Sequence, residues 1–451
     1  MRQNPIVPIA VVLLIFLIGC GGHQVDVAWQ QPRPLGKDLT TSKPPIQPPA
    51  VEEPSLLEEP TGTINLRQAL ALALMHNPDL KAFSWDVRAR EVKTLQTGLR
   101  PNPELEAEIE EFGGSGDLSG FGAVEMTVQL GYLIELGGKR GKRRQVAVLE
   151  TALAGWDYER ARLDVLTQTA QAFIDVLAAQ EAVALNEELV CLAEQVFNTV
   201  KAQVEAGKVS PVEGIRTRVE LANSRIAREV SKRGLEAARK MLAATWGSTS
   251  PAFERVEGQF EMTKPIPTAK QLANRISQNP DIARWTVEMA QRQASIRLEK
   301  SGRIPDLSIG GGMKHLNEIG DVALIFGLSF PLPLFDRNQE AIREAQYNLA
   351  RAFEERKSAE VVVRTALAAT YQALSAAWAT AIALKNDVLP GAQSAFDAVT
   401  EGYRIGKFDF LEVLDAQRTF FEVRGSYIDA LAEYHRAVAD VERLIGEPLG
   451  N

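Results

Sequence analysis

Asn77-Pro78-Asp79-Leu80 and Asn279-Pro280-Asp281-Ile282 stand 202 residues apart in a chain of 451, and the second stretch rewrites the first. Pro103-Glu104-Leu105 and Pro305-Asp306-Leu307 keep that offset, whereas Gly207-Lys208 with Gly406-Lys407 and Trp246-Gly247 with Ile445-Gly446 are 199 apart. Anchors that hold both order and spacing point to a duplication rather than to chance similarity between two helical segments. The chain reads as one unit written twice, residues 63–262 and 263–451, with three residues lost from the second hairpin region.

Each copy is expected to hold a helix, two strands, a very long helix and a second long helix. Asn77 and Asn279 each precede a proline at a first helical position, which starts helices near Asp79 and Asp281, ending near Gly98 and Gly302. From about residue 143 to 206 there is no proline, and Leu185, Leu189, Leu192, Val196, Val200 and Val204 recur every three or four residues. A helix of roughly 60 residues extends about 90 Å, which is a bridge rather than a domain core. Gly207 and Gly406 break these helices at hairpin tips. Pro390 stands in the second copy's first arm where the first copy has Cys191, so a kink is expected there. Cys191 itself is expected to be buried.

The segments near 104–112, 124–134, 306–315 and 322–331 carry a period of two. Glu104, Glu106, Glu108 and Glu110 alternate with Leu105, Ala107 and Ile109, and Glu125 with Val124 and Met126, so carboxylates and apolar groups take opposite faces. Each segment has about the 9 to 11 residues that a tilted strand needs to cross a membrane. A small soluble sheet capping a helical rod is the plainer alternative. In lipid, four strands leave unpaired edges that neighbouring chains must supply, and twelve strands from three chains are the smallest barrel with an open lumen.

Arg2 and the apolar run from Ile6 to Ile18 are too short to span a bilayer and suit a signal peptide, residues 1–19. Leu17-Ile18-Gly19-Cys20 resembles a lipobox, which implies a lipid on Cys20 and, with Gly21 next, an outer-membrane address; a plain cleaved signal is the alternative. Residues 20–62 are proline-rich and are expected to be an extended tether. A net charge of -8 argues against a nucleic-acid partner. With His23, His76, His315 and His435 scattered and two cysteines, no metal or cofactor site and no catalytic grouping is expected.

Ala206-Gly207-Lys208-Val209-Ser210-Pro211 and Gly402-Tyr403-Arg404-Ile405-Gly406-Lys407, followed by Val413-Leu414-Asp415-Ala416-Gln417, resemble the paired hairpin tips of the TolC family. Leu136-Gly137-Gly138-Lys139-Arg140-Gly141 is similar to its cobalt-zinc-cadmium resistance branch. The resemblance spans residues 63 to 447 and implies α-helices joined to a transmembrane β-barrel: a homotrimer with a 12-stranded barrel continued by a periplasmic α-helical barrel. It also implies an outer-membrane duct of a Gram-negative bacterium, working with a periplasmic membrane-fusion adaptor and an inner-membrane pump of RND type. By the same resemblance Glu412 and Asp415 form an acidic ring at the periplasmic entrance, and Glu213 and Tyr403 belong to the entrance gate. Phe408 stands where the family's lock arginine is expected, leaving Arg404, Arg216 or Arg218 as substitutes. Glu104, Glu106, Glu108, Glu110 and Glu125 are expected to face the lumen. The cargo implied is heavy-metal cations, with organic compounds or a non-conducting coiled-coil lipoprotein as the competing readings.

Overall fold

The computed structural model describes residues 29–45, 58–261 and 265–449. The expected signal peptide and Cys20 lie outside the described residues. In the first copy β1 (Gly62–Asn65) leads into α1 (Leu66–His76), α2 (Pro78–Thr97), β2 (Glu104–Glu110), β3 (Glu125–Ile134), α3 (Lys139–Glu205), α4 (Pro211–Ala244) and β4 (Phe253–Glu257). In the second, α5 (Ala269–Arg275), α6 (Pro280–Ala283) and α7 (Trp285–Gly302) precede β5 (Leu307–Leu316), β6 (Asp321–Ser329), α8 (Gln339–Ala383), α9 (Leu389–Arg404) and α10 (Phe410–Ile445).

The asparagine that opens each copy does two jobs. Asn77 Oδ1 accepts from the Leu80 N–H at 2.9 Å, while its Nδ2 donates to the Thr245 carbonyl at 2.8 Å. Asn279 Oδ1 accepts from the Asp281 N–H at 2.8 Å, and its Nδ2 donates to the Leu444 carbonyl at 2.9 Å. One side chain thus caps a helix start and satisfies a carbonyl at the end of the return helix of the same copy, where orphan acceptors collect. Both asparagines are buried, so losing either bond strands a polar group away from water.

The described chain divides into two units. One comprises residues 29–89, 152–296 and 340–451 as far as they are described, and it is mainly helical. Its core is a chain of clusters, from Leu74, Leu80 and Leu163 to Leu367, Leu374 and Val441. Ion pairs tie α3 to α10, Asp175 to Arg436 at 2.8 Å and Glu188 to Arg424 at 2.7 Å. The parallel pairing of β1 with β4, from either end of the first copy, has no sequence signal of its own.

Three expectations need revision in this unit. Where a kink is expected near Pro390, the chain runs through a π-helical turn, Leu384–Val388, just before α9. Cys191 is exposed, because the seam formed by Leu185, Val190 and Ala193 turns it outward onto an open groove beside Phe420 and Arg424. Part of the expected tether is docked: Trp29, Leu35 and Leu39 pack beside Leu163 and Leu166, with Trp29 edge-on to Tyr158 at 5.2 Å.

The other unit comprises residues 90–151 and 297–339 among those described. Its sheet has the order β2-β3-β5-β6, antiparallel throughout, and β2 and β6 are its outer strands. Asp306 accepts from the Leu136 N–H at 3.0 Å and from Lys139 at 2.8 Å, and Arg143 grips Glu135 through two bonds of 2.6 and 2.9 Å. The Gly-Gly-Lys-Arg motif is therefore the elbow where β3 passes into α3.

Candidate functional site: hairpin tips and polar sheet face

The two tips are built alike. Two residues past the end of α3 and of α9 stands a glycine with positive φ, +68° at Gly207 and +77° at Gly406, a conformation that costs a residue with a Cβ. The next amide reaches back to close the helix, Lys208 N–H to the Gln203 carbonyl at 2.9 Å and Lys407 N–H to the Gly402 carbonyl at 2.8 Å. The return helices then start differently. Ser210 caps α4, its hydroxyl accepting from the Val212 N–H at 3.3 Å. Asp409 caps α10 in a reciprocal box: it accepts from the Glu412 N–H at 3.0 Å, and Glu412 Oε2 accepts from the Asp409 N–H at 3.1 Å.

Glu412 and Asp415 share the exposed side of the first turns of α10, with Asp409 beside them. Glu412 therefore does double duty, as an exposed charge and as half of a cap. Asp409 was legible as the first residue of an Asp-x-x-Glu cap signal but carried no role in the sequence reading. The two residues expected at the gate each have a partner within the protomer. Tyr403 donates to Gln203 Oε1 at 3.2 Å, joining the two tips, and Glu213 pairs with Arg216 at 3.2 Å. Arg404 pairs with Glu401 at 2.8 Å. The Phe408 ring packs against Gly402, where an added Cβ would come within 2.1 Å of it.

In the sheet, Glu104, Glu106, Glu108 and Glu110 oppose Gly131, Gln129, Thr127 and Glu125, so all five candidate glutamates share one face. Leu105, Ile109, Met126, Val128, Met313, Leu324 and Phe326 take the other and are exposed. The acidic face has a counter-charge that the sequence reading missed. Lys314 bridges Glu125 and Glu110, the latter at 3.5 Å, and Gln129 donates to Glu106 at 2.6 Å. The even positions of β5, Gly310, Gly312 and Lys314, could have placed that lysine on the polar face, but only once the register to β3 was known. His315 falls on the apolar face opposite Met126. Among the described residues no cluster of His, Cys, Asp or Glu could hold a metal ion.

A sheet whose two outer strands are unpaired among the described residues, with one polar face and one exposed apolar face, has the pattern of a piece of barrel wall. The family model described as outer membrane efflux protein matches residues 69–248 and 272–447. The chain belongs to the outer membrane efflux protein family. The cobalt-zinc-cadmium resistance protein CzcC of Cupriavidus metallidurans is 33% identical over 409 residues, covering 91% of this chain and 94% of that one. Outer membrane protein TolC of Escherichia coli is 24% identical over 399 residues, covering 82% and 80%. Among solved structures, CusC superposes with a TM-score of 0.71 at 17% identity, covering 90% of this chain and all of that one. The open-state MtrE channel of Neisseria gonorrhoeae gives 0.69 at 18%, covering 91% and 98%. This efflux protein is accordingly an outer-membrane channel component, and its family consists of transport ducts rather than enzymes.

Proposed function

We propose that this efflux protein is the exit duct of a tripartite metal-cation exporter, assembled as a homotrimer and held to the outer membrane by a lipid on Cys20. The two unpaired strand edges of its four-stranded sheet carry the reading. Exposed backbone donors and acceptors cost several kcal/mol each in lipid, so β2 and β6 call for partners from sister chains, and three copies make a twelve-stranded wall around water. A periplasmic membrane-fusion adaptor and an inner-membrane pump of RND type complete the assembly, and the pump supplies the energy. Metal cargo rests on two supports: relatives named for resistance to cobalt, zinc, cadmium and nickel, and the acidic residues at tip and sheet. Rings of carboxylates around one axis favour cations without ligating them.

The entrance ring is Glu412 and Asp415. Because Glu412 also closes a helix cap, alanine would confound charge with unwinding, whereas glutamine keeps the capping bond. In planar bilayers, Glu412→Gln with Asp415→Asn should cut the cation-over-anion permeability ratio by about half or more. An unchanged ratio rejects the ring, and absence of any channel rejects the duct.

The gate, by this reading, uses Tyr403 and Glu213 together with Phe408, whose ring on Gly402 does the work of the missing arginine. Phe408→Ala and Gly402→Leu should each raise resting conductance severalfold, since both remove the ring from its seat. Closed channels in both variants would exclude Phe408 from the gate.

A further inference from the structure

The four strands β2, β3, β5 and β6 hold six carboxylates and, as their one Lys or Arg residue, Lys314. Five of the acids are the glutamates already placed on the polar face, and the sixth is Asp321. It pairs with Leu316, two residues along β5 from Lys314, while Lys314 pairs with Thr127, the partner of Glu108. Alternation therefore puts all seven charges on the same face. Six carboxylates against one ammonium leave that face five charges negative in each chain, so Lys314 does not set its sign.

The place of Lys314 in the ladder is specific. Glu104, Glu106 and Glu108 face Gly131, Gln129 and Thr127 across the β2–β3 pair, all uncharged. Glu110 alone faces another carboxylate, that of Glu125. Side chains directly opposite in an antiparallel pair have Cβ atoms about 4.5–5.5 Å apart, and like charges there repel. Lys314 serves this pair from the third strand: its Nζ lies 3.5 Å from Glu110 Oε2 and also contacts Glu125 Oε2. Two opposed carboxylates are an oxygen pair of the kind that divalent cations bind, completing their shells with water. The ammonium of Lys314 fills the place between them.

Glu110, Glu125 and Asp321 stand at the end of the sheet that carries the connections 111–124 and 317–320, whereas Glu104 adjoins the other end, where Asp306 binds the β3–α3 elbow. In the exit-duct reading, on which this inference rests, the first of these is the last stretch of wall that a departing cation passes. Conduction requires binding favourable enough to admit an ion and weak enough to release it. Single carboxylates spaced along a strand meet that requirement, and a chelating pair at the outlet does not. We propose that Lys314 is a tethered counterion and a specificity-determining residue of the duct. By occupying the Glu110–Glu125 pair it keeps departing divalent cations from being held at the outlet, while the single carboxylates behind it still favour cations over anions. Lysine suits the task because its ammonium is a point charge on a flexible stem, able to serve both acids.

The experiment uses the full chain as assembled trimers in planar bilayers, with cobalt(II) chloride as the probe. All chains carry Glu412→Gln and Asp415→Asn, so that block at the entrance does not mask block at the outlet. Lys314→Gln should be blocked by a cobalt concentration at least tenfold lower than the parent requires. Lys314→Arg, which keeps the charge, should need as much cobalt as the parent. Adding Glu125→Gln to Lys314→Gln should return the blocking concentration to the parent's, since the opposed pair is gone. Equal block of Lys314→Gln and the parent overturns the proposal, and so does enhanced block that survives Glu125→Gln. If Lys314→Gln forms no trimer, the lysine is part of how the wall folds, and the proposal falls too. A parent chain that carries no current takes away the duct reading itself, and this inference with it.

Discussion

Gly312→Val should abolish the assembled, conducting form of this efflux protein, with more than a tenfold loss of channel activity per molecule and no detergent-resistant oligomer. Gly312 sits opposite Gln129 in the central β3–β5 pairing. A Cβ added there would lie 2.3 Å from the Val128 carbonyl oxygen, 2.6 Å from the Gln129 Cβ and 2.7 Å from its Cα. Two of those atoms are backbone, so relief requires β3 itself to move. Movement breaks ladder hydrogen bonds at the middle of the sheet, and in lipid each orphaned group costs several kcal/mol. Gly327 on β6 supplies the control, since a Cβ there meets nothing within 4 Å. Gly327→Val should assemble and conduct. Equal behaviour of the two variants, by gel and by bilayer recording, would refute the claim that packing around Gly312 holds the wall together.

Arg162→Ala should destabilise the helical unit by about 3–5 kcal/mol, the cost of leaving a buried charge without its partner. Glu159 and Arg162 are each 1% exposed and share two bonds of 2.8 Å. They also hold the segment that precedes β1: the Arg33 N–H donates to Glu159 at 2.6 Å, and Arg162 donates to the Arg33 carbonyl at 3.2 Å and the Gly36 carbonyl at 3.4 Å. Without Arg162, Glu159 keeps the Arg33 N–H but loses its countercharge, the Arg33 carbonyl loses its Arg162 donor, and the Gly36 carbonyl is left with the Leu39 N–H. Heat should unfold the variant at a lower temperature, and protease should cut within residues 29–45 before any global unfolding. Replacing both members, Glu159→Met with Arg162→Met, should recover much of the thermal stability, because no isolated charge is left. Protease sensitivity of residues 29–45 should nevertheless persist, since the bonds to Arg33 and Gly36 are gone. A double variant as unstable as the single one would mean that the loss comes from packing volume, not from charge.

The sequence placed the strands to within two residues because alternation over Glu104 to Glu110 and over Val322 to Phe330 is a local signal, read from neighbours two apart. It placed the tips at Gly207 and Gly406 for a similar reason, since a helix that must turn needs a residue tolerant of positive φ. The candidate site was only partly legible. Glu412 and Asp415 could be set on one helical face by their spacing, yet the cap bond that makes Glu412 structural depends on how the chain enters α10.

The duplication, the helix caps, the period of each element and the tip glycines were determined by the sequence alone, because each is enforced within a few residues. Lys314 between Glu110 and Glu125, Tyr403 on Gln203, the asparagine ties to Thr245 and Leu444, the β1–β4 pair and the outward turn of Cys191 were decided only by the tertiary structure. Most of these join residues more than 150 positions apart, and Cys191 is turned outward by how α3 packs on its neighbours. No local period encodes which of two distant faces will meet.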